Sequence, residues 1–416
     1  MTTRSTAKPA NPFKPGKRLT RPDLFAGRTP QLEDGASLLK QAAAGNARHG
    51  LITGDRGIGK SSLSSQIQGI ARGDAAYLAL LDETDRIKFN FLTAEIVAER
   101  GEGPADIATG LLQELDRSRG KNLGGIRFDW ELDLKIIKGK FREATAPRDV
   151  TLGFVDAIEA VAKSLDKRAS GIVLVIDEID RVATQQGVST FLKVATETMS
   201  ARGLENVMFL AVGMVGVREL LADEHASTPR IFETIHVPTL SDVESMDIVA
   251  KALEPTAVTI NGATNRLIAE LSGGFPQPVH LIGSEAYEAD TDWVIDNADL
   301  NKGIQSVVGV KAREEFDAQL LIAGSGRNRQ IVKSMANYSG SNVPIAHVCE
   351  ELDVIQPEIS ANIGLLMKRE VIVRVDRGVY RIKDPLFSIY VATLGLIGDE
   401  PIERRPRRRK PKTTKS

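Results

Sequence analysis

Eight consecutive residues constrain the fold of this chain more than any other feature. They match the pattern G-x-x-x-x-G-K-[ST] and read Gly54-Asp55-Arg56-Gly57-Ile58-Gly59-Lys60-Ser61. In such a loop the glycines let backbone N–H groups wrap a phosphate without Cβ clashes, and the lysine reaches the outer phosphates. The serine opens a helix whose N-terminus favours anions, and its hydroxyl can bind Mg²⁺. An apolar run precedes the loop and Leu63, Ile67 and Ile70 follow at helical spacing, so the pattern predicts a nucleoside triphosphate site.

A second acidic element has the position that such a site requires. Residues Gly171–Ile176 form the most apolar and β-branched run of the chain, which is typical of a central parallel strand buried on both faces. The run ends in Asp177 and Glu178. An acid at the C-terminal edge of a parallel strand lies in the crevice where open α/β sheets bind ligands. We therefore expect Asp177 to hold Mg²⁺ through water and Glu178 to polarise the attacking water.

The pattern of apolar runs divides the chain into regions. Short apolar runs, including Ala76–Leu81 and Val207–Val212, alternate with helical periodicity and predict a doubly wound parallel α/β core over residues 23–240. Ile126, Phe128, Trp130 and Leu132 alternate with polar residues, which indicates a strand or hairpin insertion there. Residues 241–323 read as successive helices, an all-helical lid. Residues 324–392 contain three helical segments and a two-stranded hairpin, the parts of a winged helix.

Charge is distributed unevenly along the chain. Residues 1–22 carry +6 and residues 404–416 carry +8 without a single acid, whereas residues 23–403 contain 40 basic and 55 acidic residues, a net charge of −15. We expect a flexible basic arm over residues 1–22 and a disordered basic tail over residues 393–416. Basic segments on an acidic body favour a polyanion such as nucleic acid as their partner; an acidic protein partner, a solubilising role and a localisation signal remain alternatives.

Cysteine content and hydropathy limit the cellular compartments in which we expect this protein. The single cysteine, Cys349, excludes an intrachain disulfide, and no apolar run approaches the roughly 18 residues of a membrane-spanning helix. We therefore expect a cytoplasmic protein without membrane contact.

With these motifs in place, residues 23–392 resemble the AAA+/STAND-type P-loop ATPases, in a layout similar to the archaeal-type and the origin-recognition/helicase-loader ATPases. Beyond the two nucleotide motifs, the resemblance rests on Phe25-Ala26-Gly27-Arg28, Gly273-Gly274-Phe275-Pro276 and Tyr380–Phe387. The resemblance implies that sheet and lid sandwich the nucleotide, with Phe25–Arg28 beside the base and Pro276 approaching from the lid. It also implies that Arg230 is either an arginine finger acting on a neighbouring subunit or a structural arginine.

Two positions depart from the family pattern. No polar residue that could sense the γ-phosphate follows the strand at Gly213-Met214-Val215-Gly216, and no sensor arginine is evident near Gln277 and His280. Both departures favour slow turnover that is stimulated by a partner or by oligomerisation. The residues expected to act are, for nucleotide binding, Gly54, Asp55, Arg56, Gly57, Ile58, Gly59, Lys60, Ser61, Ser62 and Pro276; for Mg²⁺, Ser61 and Asp177; for catalysis, Glu178 and Arg230.

These observations predict an ATP- and Mg²⁺-binding ATPase that acts as an ATP/ADP conformational switch. We expect it to associate with DNA in replication, transposition or defence, through the basic tails and the winged helix, and to self-associate in the ATP state. The winged-helix face is only modestly polar, with Glu358, Ser360, Asn362 and Lys368 outward, while the hairpin offers Arg374, Arg377 and Arg381. A STAND-type signalling ATPase whose winged helix binds a protein partner is therefore the alternative, and nucleotide binding without turnover is a third.

Overall fold

The computed structural model describes residues 8–82, 86–118, 122–123, 126–127, 141, 147–165, 169–338 and 340–397. The chain divides into two compact units, unit 1 over Met1–Ile304 and unit 2 over Gln305–Ser416. No helix in the described part is long and apolar enough to cross a membrane.

Unit 1 is built on a parallel sheet. Its strands are β1 (His49–Gly54), β2 (Phe91–Val97), β3 (Asn122–Leu123), β4 (Ile126–Arg127), β5 (Gly171–Asp177), β6 (Val207–Met214), β7 (Phe232–His236), β8 (Thr259–Ile260) and β9 (Val294–Ile295). Five of them form one sheet in the order β2-β5-β6-β1-β7, with every neighbouring pair parallel. Because β1 lies between β6 and β7, the chain crosses the sheet in both directions, and the doubly wound α/β prediction is confirmed.

The helices of unit 1 either cover the two faces of this sheet or form the lid. They are α1 (Thr29–Ala43), α2 (Lys60–Ala71), α3 (Ala75–Leu78), α4 (Pro104–Ser118), α5 (Pro147–Leu165), α6 (Val188–Ala201), α7 (Val217–Glu224), α8 (Asp242–Leu253), α9 (Gly262–Ser272), α10 (Pro276–Ala289) and α11 (Asn297–Val307). Alternate residues of β5 enter opposite cores: Ile172, Leu174 and Ile176 pack with α4–α7, and Val173 and Val175 pack with α1 and α2. Burial on both faces explains why the β5 sequence is continuously apolar.

Two predicted elements differ from the structure. The apolar run Ala76–Leu81 is not a strand: Ala75–Leu78 form a short helix, and the neighbouring strand of the sheet is β2. The lid is not wholly helical, because β8 and β9 form a small parallel pair beside helices α8–α11. In the predicted insertion, β3 and β4 pair antiparallel, and Phe128, Trp130 and Leu132 lie outside the described residues.

The prediction of a flexible arm over residues 1–22 is wrong for residues 8–22, which we call the N-terminal segment. Lys8 forms an ion pair with Asp290, 2.8 Å away, and the Phe13 ring is 4% exposed against His280 and Tyr287 of helix α10. Leu19 adds backbone hydrogen bonds to Ser62 and Gln66, so the segment is docked although it lacks apolar periodicity. The prediction of a disordered tail over residues 393–416 is wrong for residues 393–397, which continue the helix Pro385–Ile397. Residues 1–7 and 398–416 lie outside the described residues.

Unit 2 contains helices and one small sheet. Its helices are α12 (Val310–Ala323), α13 (Arg327–Asn337), α14 (Ile345–Glu351), α15 (Gln356–Lys368) and α16 (Pro385–Ile397), and its strands are β10 (Val343–Pro344), β11 (Ile372–Asp376) and β12 (Val379–Ile382). The strands pair antiparallel in the order β10-β12-β11. Helix α12 was expected in the lid over residues 241–323. It belongs to unit 2 instead, because Phe316 and Leu320 pack against Phe387 and Tyr390 of α16.

A half-buried histidine on strand β1 gives the fold a pH dependence. The Nδ1 atom of His49 accepts the Phe209 N–H at 3.0 Å, and burial lowers the pKa of His49 from 6.5 to about 4. The folded state therefore binds this proton less readily than the unfolded chain does. We expect the unfolding free energy to fall by about 2 kcal/mol from this group between pH 7 and pH 5. Urea titrations at both pH values should show a smaller fall in His49→Gln, which keeps an acceptor but does not titrate; an unchanged fall would contradict the assignment.

Candidate nucleotide-binding site

A cavity of about 640 Å³ lies at the carboxyl edge of the parallel sheet in unit 1. Four parts of the chain line it: the Gly54–Ser61 loop with the start of α2, the ends of β5 and β6, the start of lid helix α10, and the N-terminal segment. The phosphate loop, the two acids after β5 and Pro276, which are far apart in sequence, therefore lie around the same cavity.

The loop has the conformation that its glycines were expected to provide. Gly57 and Gly59 have φ values of +77° and +99°, a region that residues with a Cβ rarely adopt. A Cβ placed on Gly57 would lie 2.8 Å from Oε1 of Gln277, so the lid side chain also approaches the loop closely. The Lys60 ammonium donates to the Asp55 carbonyl at 2.9 Å, and burial lowers its pKa against the opposing effect of nearby carboxylates.

The two acids at the end of β5 differ in environment. Asp177 is 5% exposed, and its Oδ1 accepts the Glu178 N–H at 2.9 Å. Glu178 has φ +56° and ψ +38°, a left-handed conformation that is uncommon for a residue with a long side chain and is often found at functional sites. Its carboxylate borders the cavity and forms an ion pair with Arg181. The hydroxyl of Ser61 and the carboxylate of Asp177 are hard oxygen donors of the kind that Mg²⁺ prefers.

The position after β6 carries a thioether in place of a polar sensor. Met214 lines the cavity, and its Sδ lies 3.5 Å from the Lys60 Nζ. The Met214 N–H donates to Asp180 at 2.9 Å, which fixes the end of β6 beside the β5 acids. A neutral, weakly accepting sulfur binds a phosphate oxygen poorly.

Another part of the cavity lining is more apolar and suits the heterocyclic base of a nucleotide. It is lined by Phe25, Ala26, Ile248, Pro276 and His280. His280 is 4% exposed, and burial together with the charge of Lys14 lowers its pKa to about 4, so the imidazole is neutral near pH 7. The family resemblance places Arg28 beside the nucleotide base. In the structure its guanidinium donates to the carbonyls of Ile58 and Pro238, which gives it a structural role.

The structure brings most of the expected site residues together. The residues that line the cavity are Arg56, Gly57, Ile58, Gly59, Lys60, Ser61, Ser62, Asp177, Glu178 and Pro276. Gly54 and Asp55 do not line the cavity. Gly54 is the last residue of β1, and the Asp55 carbonyl accepts a hydrogen bond from the Lys60 ammonium. Arg230 is exposed in the short helix Thr228–Ile231 and does not line this cavity.

The contribution of the N-terminal segment to the cavity was not predicted from the sequence. Lys14, Lys17, Arg18 and Leu19 all line the cavity. They occur among cations and prolines without periodicity, so no local pattern distinguished them from a solvated arm. Their partners are far away in sequence, as in the hydrogen bond from Gln66 Nε2 to the Leu19 carbonyl at 2.9 Å.

Comparison with known families agrees with this geometry. Residues 24–207 match the family model described as the AAA ATPase domain. These residues are an AAA ATPase domain. The match includes the loop, both β5 acids and the start of β6, and it ends before the lid.

The chain is similar to other proteins at low identity. A curated relative is an uncharacterized HTH-type transcriptional regulator of Methanocaldococcus jannaschii, 23% identical over 352 residues that cover 80% of this chain and 79% of the relative. Two solved structures share the fold of this chain. The Walker-type ATPase of Pyrococcus abyssi has a TM-score of 0.55 and 17% identity and covers 90% of this chain and 98% of its own. The ORC2 protein of Aeropyrum pernix, in ADPNP–ADP complexes, has a TM-score of 0.57 and 13% identity. The match covers 94% of this chain and 99% of the ORC2 chain.

Proposed function

We propose that this protein binds ATP with Mg²⁺ and hydrolyses it slowly, as a switch between ATP and ADP conformations. The observation that carries the proposal is the meeting of the phosphate loop, Asp177 and Glu178 at one cavity beneath a lid helix. Lys60 would bind the outer phosphates, Ser61 and Asp177 would hold Mg²⁺, and Glu178 would orient the attacking water. Mg²⁺ would neutralise phosphate charge when bound.

Three features support slow turnover. Met214 provides no polar group at the end of β6, and Gln277 provides a neutral amide beside the loop. The carboxylate of Glu178 is paired with Arg181, which competes with the attacking water for this carboxylate. A partner or a second subunit that engages Arg181 would therefore accelerate hydrolysis.

Arg230 remains our proposed arginine finger. A finger that acts on a neighbouring subunit has to be exposed and outside its own site, and Arg230 meets both requirements. Turnover that rises more than linearly with protein concentration, and is lost in Arg230→Ala, would support this role; linear turnover in both proteins would refute it.

We further propose that unit 2 is a winged helix that contributes to DNA binding. The order α13, β10, α14, α15, β11, β12 is that of a winged helix, with α15 as the recognition helix and β11–β12 as the wing. Arg374 and Arg377 are exposed on the wing. The Methanocaldococcus jannaschii relative, an uncharacterized HTH-type transcriptional regulator, supports this proposal.

The docked N-terminal segment changes where the affinity for nucleic acid would come from. Lys8, Arg18 and Arg21 are paired with Asp290, Glu95 and Asp23, so the first 22 residues do not present +6 to a partner. In our proposal the eight cations of residues 404–416, which lie outside the described residues, supply most of the sequence-independent attraction.

We therefore expect a salt-sensitive gel shift with duplex DNA that depends on this tail. A variant of equal length with glutamine at all eight tail cations should bind at least about tenfold more weakly at low salt and show a shallower salt dependence. Arg374→Gln/Arg377→Gln should weaken binding less. The absence of any shift at low salt, with ATP or with ADP, would refute DNA association.

The alternative is a regulatory ATPase whose winged helix binds protein. The exposed face of α15 includes Ala361, Gly364 and Leu365 and only one acid and one base, Glu358 and Lys368. Ile355, at the start of α15, is 63% exposed. This face is poor in phosphate-binding groups and suits an apolar protein contact. A protein that co-purifies with the wild type and is lost in Leu365→Glu, without any DNA shift, would favour this alternative.

A further inference from the structure

The side chain of Arg18 enters the proposed Mg²⁺ region from the N-terminal segment. Its Nη2 lies 2.7 Å from Glu95 Oε1, and its Nη1 lies 4.0 Å from Asp177 Oδ2. Its Nε donates to the hydroxyl of Ser65, one turn along α2 from Ser61. Glu95 and Asp177 are on the adjacent strands β2 and β5, so the guanidinium bridges two strands and the phosphate-loop helix.

The backbone beside Arg18 is held firmly. The Leu19 N–H donates to the Ser62 hydroxyl at 3.0 Å, and Gln66 Nε2 donates to the Leu19 carbonyl at 2.9 Å. On the other side, Phe13 is buried against lid helix α10. Arg18 is therefore fixed from both directions and differs from an arginine on a solvated arm.

Arg18 completes the environment of the Asp177 carboxylate. Oδ1 of Asp177 accepts the Glu178 N–H, and Oδ2 faces the Arg18 guanidinium. A lone positive charge at this distance would disfavour a second cation at Asp177. Glu95 carries the compensating negative charge on the far side of the guanidinium. The pair thus adds little net charge beside the carboxylate.

We propose that the charge balance between Arg18 and Glu95, beside Asp177, sets how strongly Mg²⁺ and nucleotide are coupled at this site. The inference rests on the proposed function, because it concerns the same cavity. It gives the N-terminal segment a role in the ATP site that no motif in that segment indicates.

The charge balance predicts opposite effects from two single substitutions. Arg18→Gln leaves Glu95 uncompensated and should tighten Mg²⁺, whereas Glu95→Gln leaves Arg18 uncompensated and should weaken it. The readout is the dissociation constant of a fluorescent ADP analogue in EDTA divided by that in Mg²⁺. Because the guanidinium is about a quarter exposed, we expect this ratio to rise about fivefold in Arg18→Gln and to fall about fivefold in Glu95→Gln. The double variant should return close to the wild-type ratio.

Matched variants separate this role from simple anchoring. Arg21→Gln removes an exposed arginine of the same segment, paired with Asp23, and should leave the ratio unchanged. Arg18→Lys keeps the charge and should keep the ratio near the wild-type value. Equal weakening in EDTA and in Mg²⁺ for both single variants would overturn the inference and leave Arg18 as an anchor. Failure of the wild type to bind the analogue under either condition would instead refute the proposed function.

Discussion

Replacement of Lys60 by alanine is expected to lower the affinity for ATP by at least about 100-fold. The ammonium is the charged group of the phosphate loop, and it already lies inside the cavity, 2.9 Å from the Asp55 carbonyl. Burial disfavours its charged form, and the negative charge of a bound phosphate would offset this effect. Isothermal titration with ATP and with ADP measures the loss for each nucleotide.

Lys163→Ala is the matched control for this substitution. Lys163 is 74% exposed on its side chain, and its ion pair with Glu159 on helix α5 contributes little to stability. Both variants should unfold at temperatures close to that of the wild type. If folded Lys60→Ala bound ATP as tightly as the control, the phosphate loop would not be the binding element.

Glu178→Gln is expected to keep ATP binding and to reduce hydrolysis by about 100-fold or more. The amide fits the same left-handed position, whereas it cannot accept a proton from the attacking water. The ion pair with Arg181 is lost at the same time. ATP affinity should change little, because in the proposed site Lys60 binds the phosphates and Glu178 does not. Phosphate release at saturating ATP, together with equilibrium binding, separates the two effects.

The control for catalysis is Glu219→Gln, an exposed glutamate on helix α7. It should hydrolyse ATP at the wild-type rate. Wild-type turnover in Glu178→Gln would show that another group orients the water, and loss of ATP binding in that variant would show that Glu178 supports the loop rather than the chemistry.

The central strands and the phosphate loop were predictable because their constraints are local. Strand β5 is buried on both faces and therefore continuously apolar, and the loop requires glycine at positions with positive φ. Strand β2 was missed for the opposite reason. It lies at the edge of the sheet, where polar residues such as Thr93 and Glu95 are tolerated, and the more apolar Ala76–Leu81 competed with it.

The docking of the N-terminal segment could not be predicted, because its partners are distant in sequence. Lys8 binds Asp290, and Phe13 packs on α10, more than 260 residues later. Neither contact leaves a periodic signal in a segment rich in proline and cations. The same holds for Arg18, whose role depends on where β2 and β5 end rather than on its sequence neighbours.

The central claim is that a nucleotide occupies the cavity between the phosphate loop, the N-terminal segment and lid helix α10. Photocrosslinking with 8-azido-ATP, followed by peptide mapping, tests it most directly. The account predicts label on peptides from residues 13–28 or 276–280, lost with excess ATP and in Lys60→Ala. Label confined to other peptides, or label that excess ATP does not compete away, would contradict it.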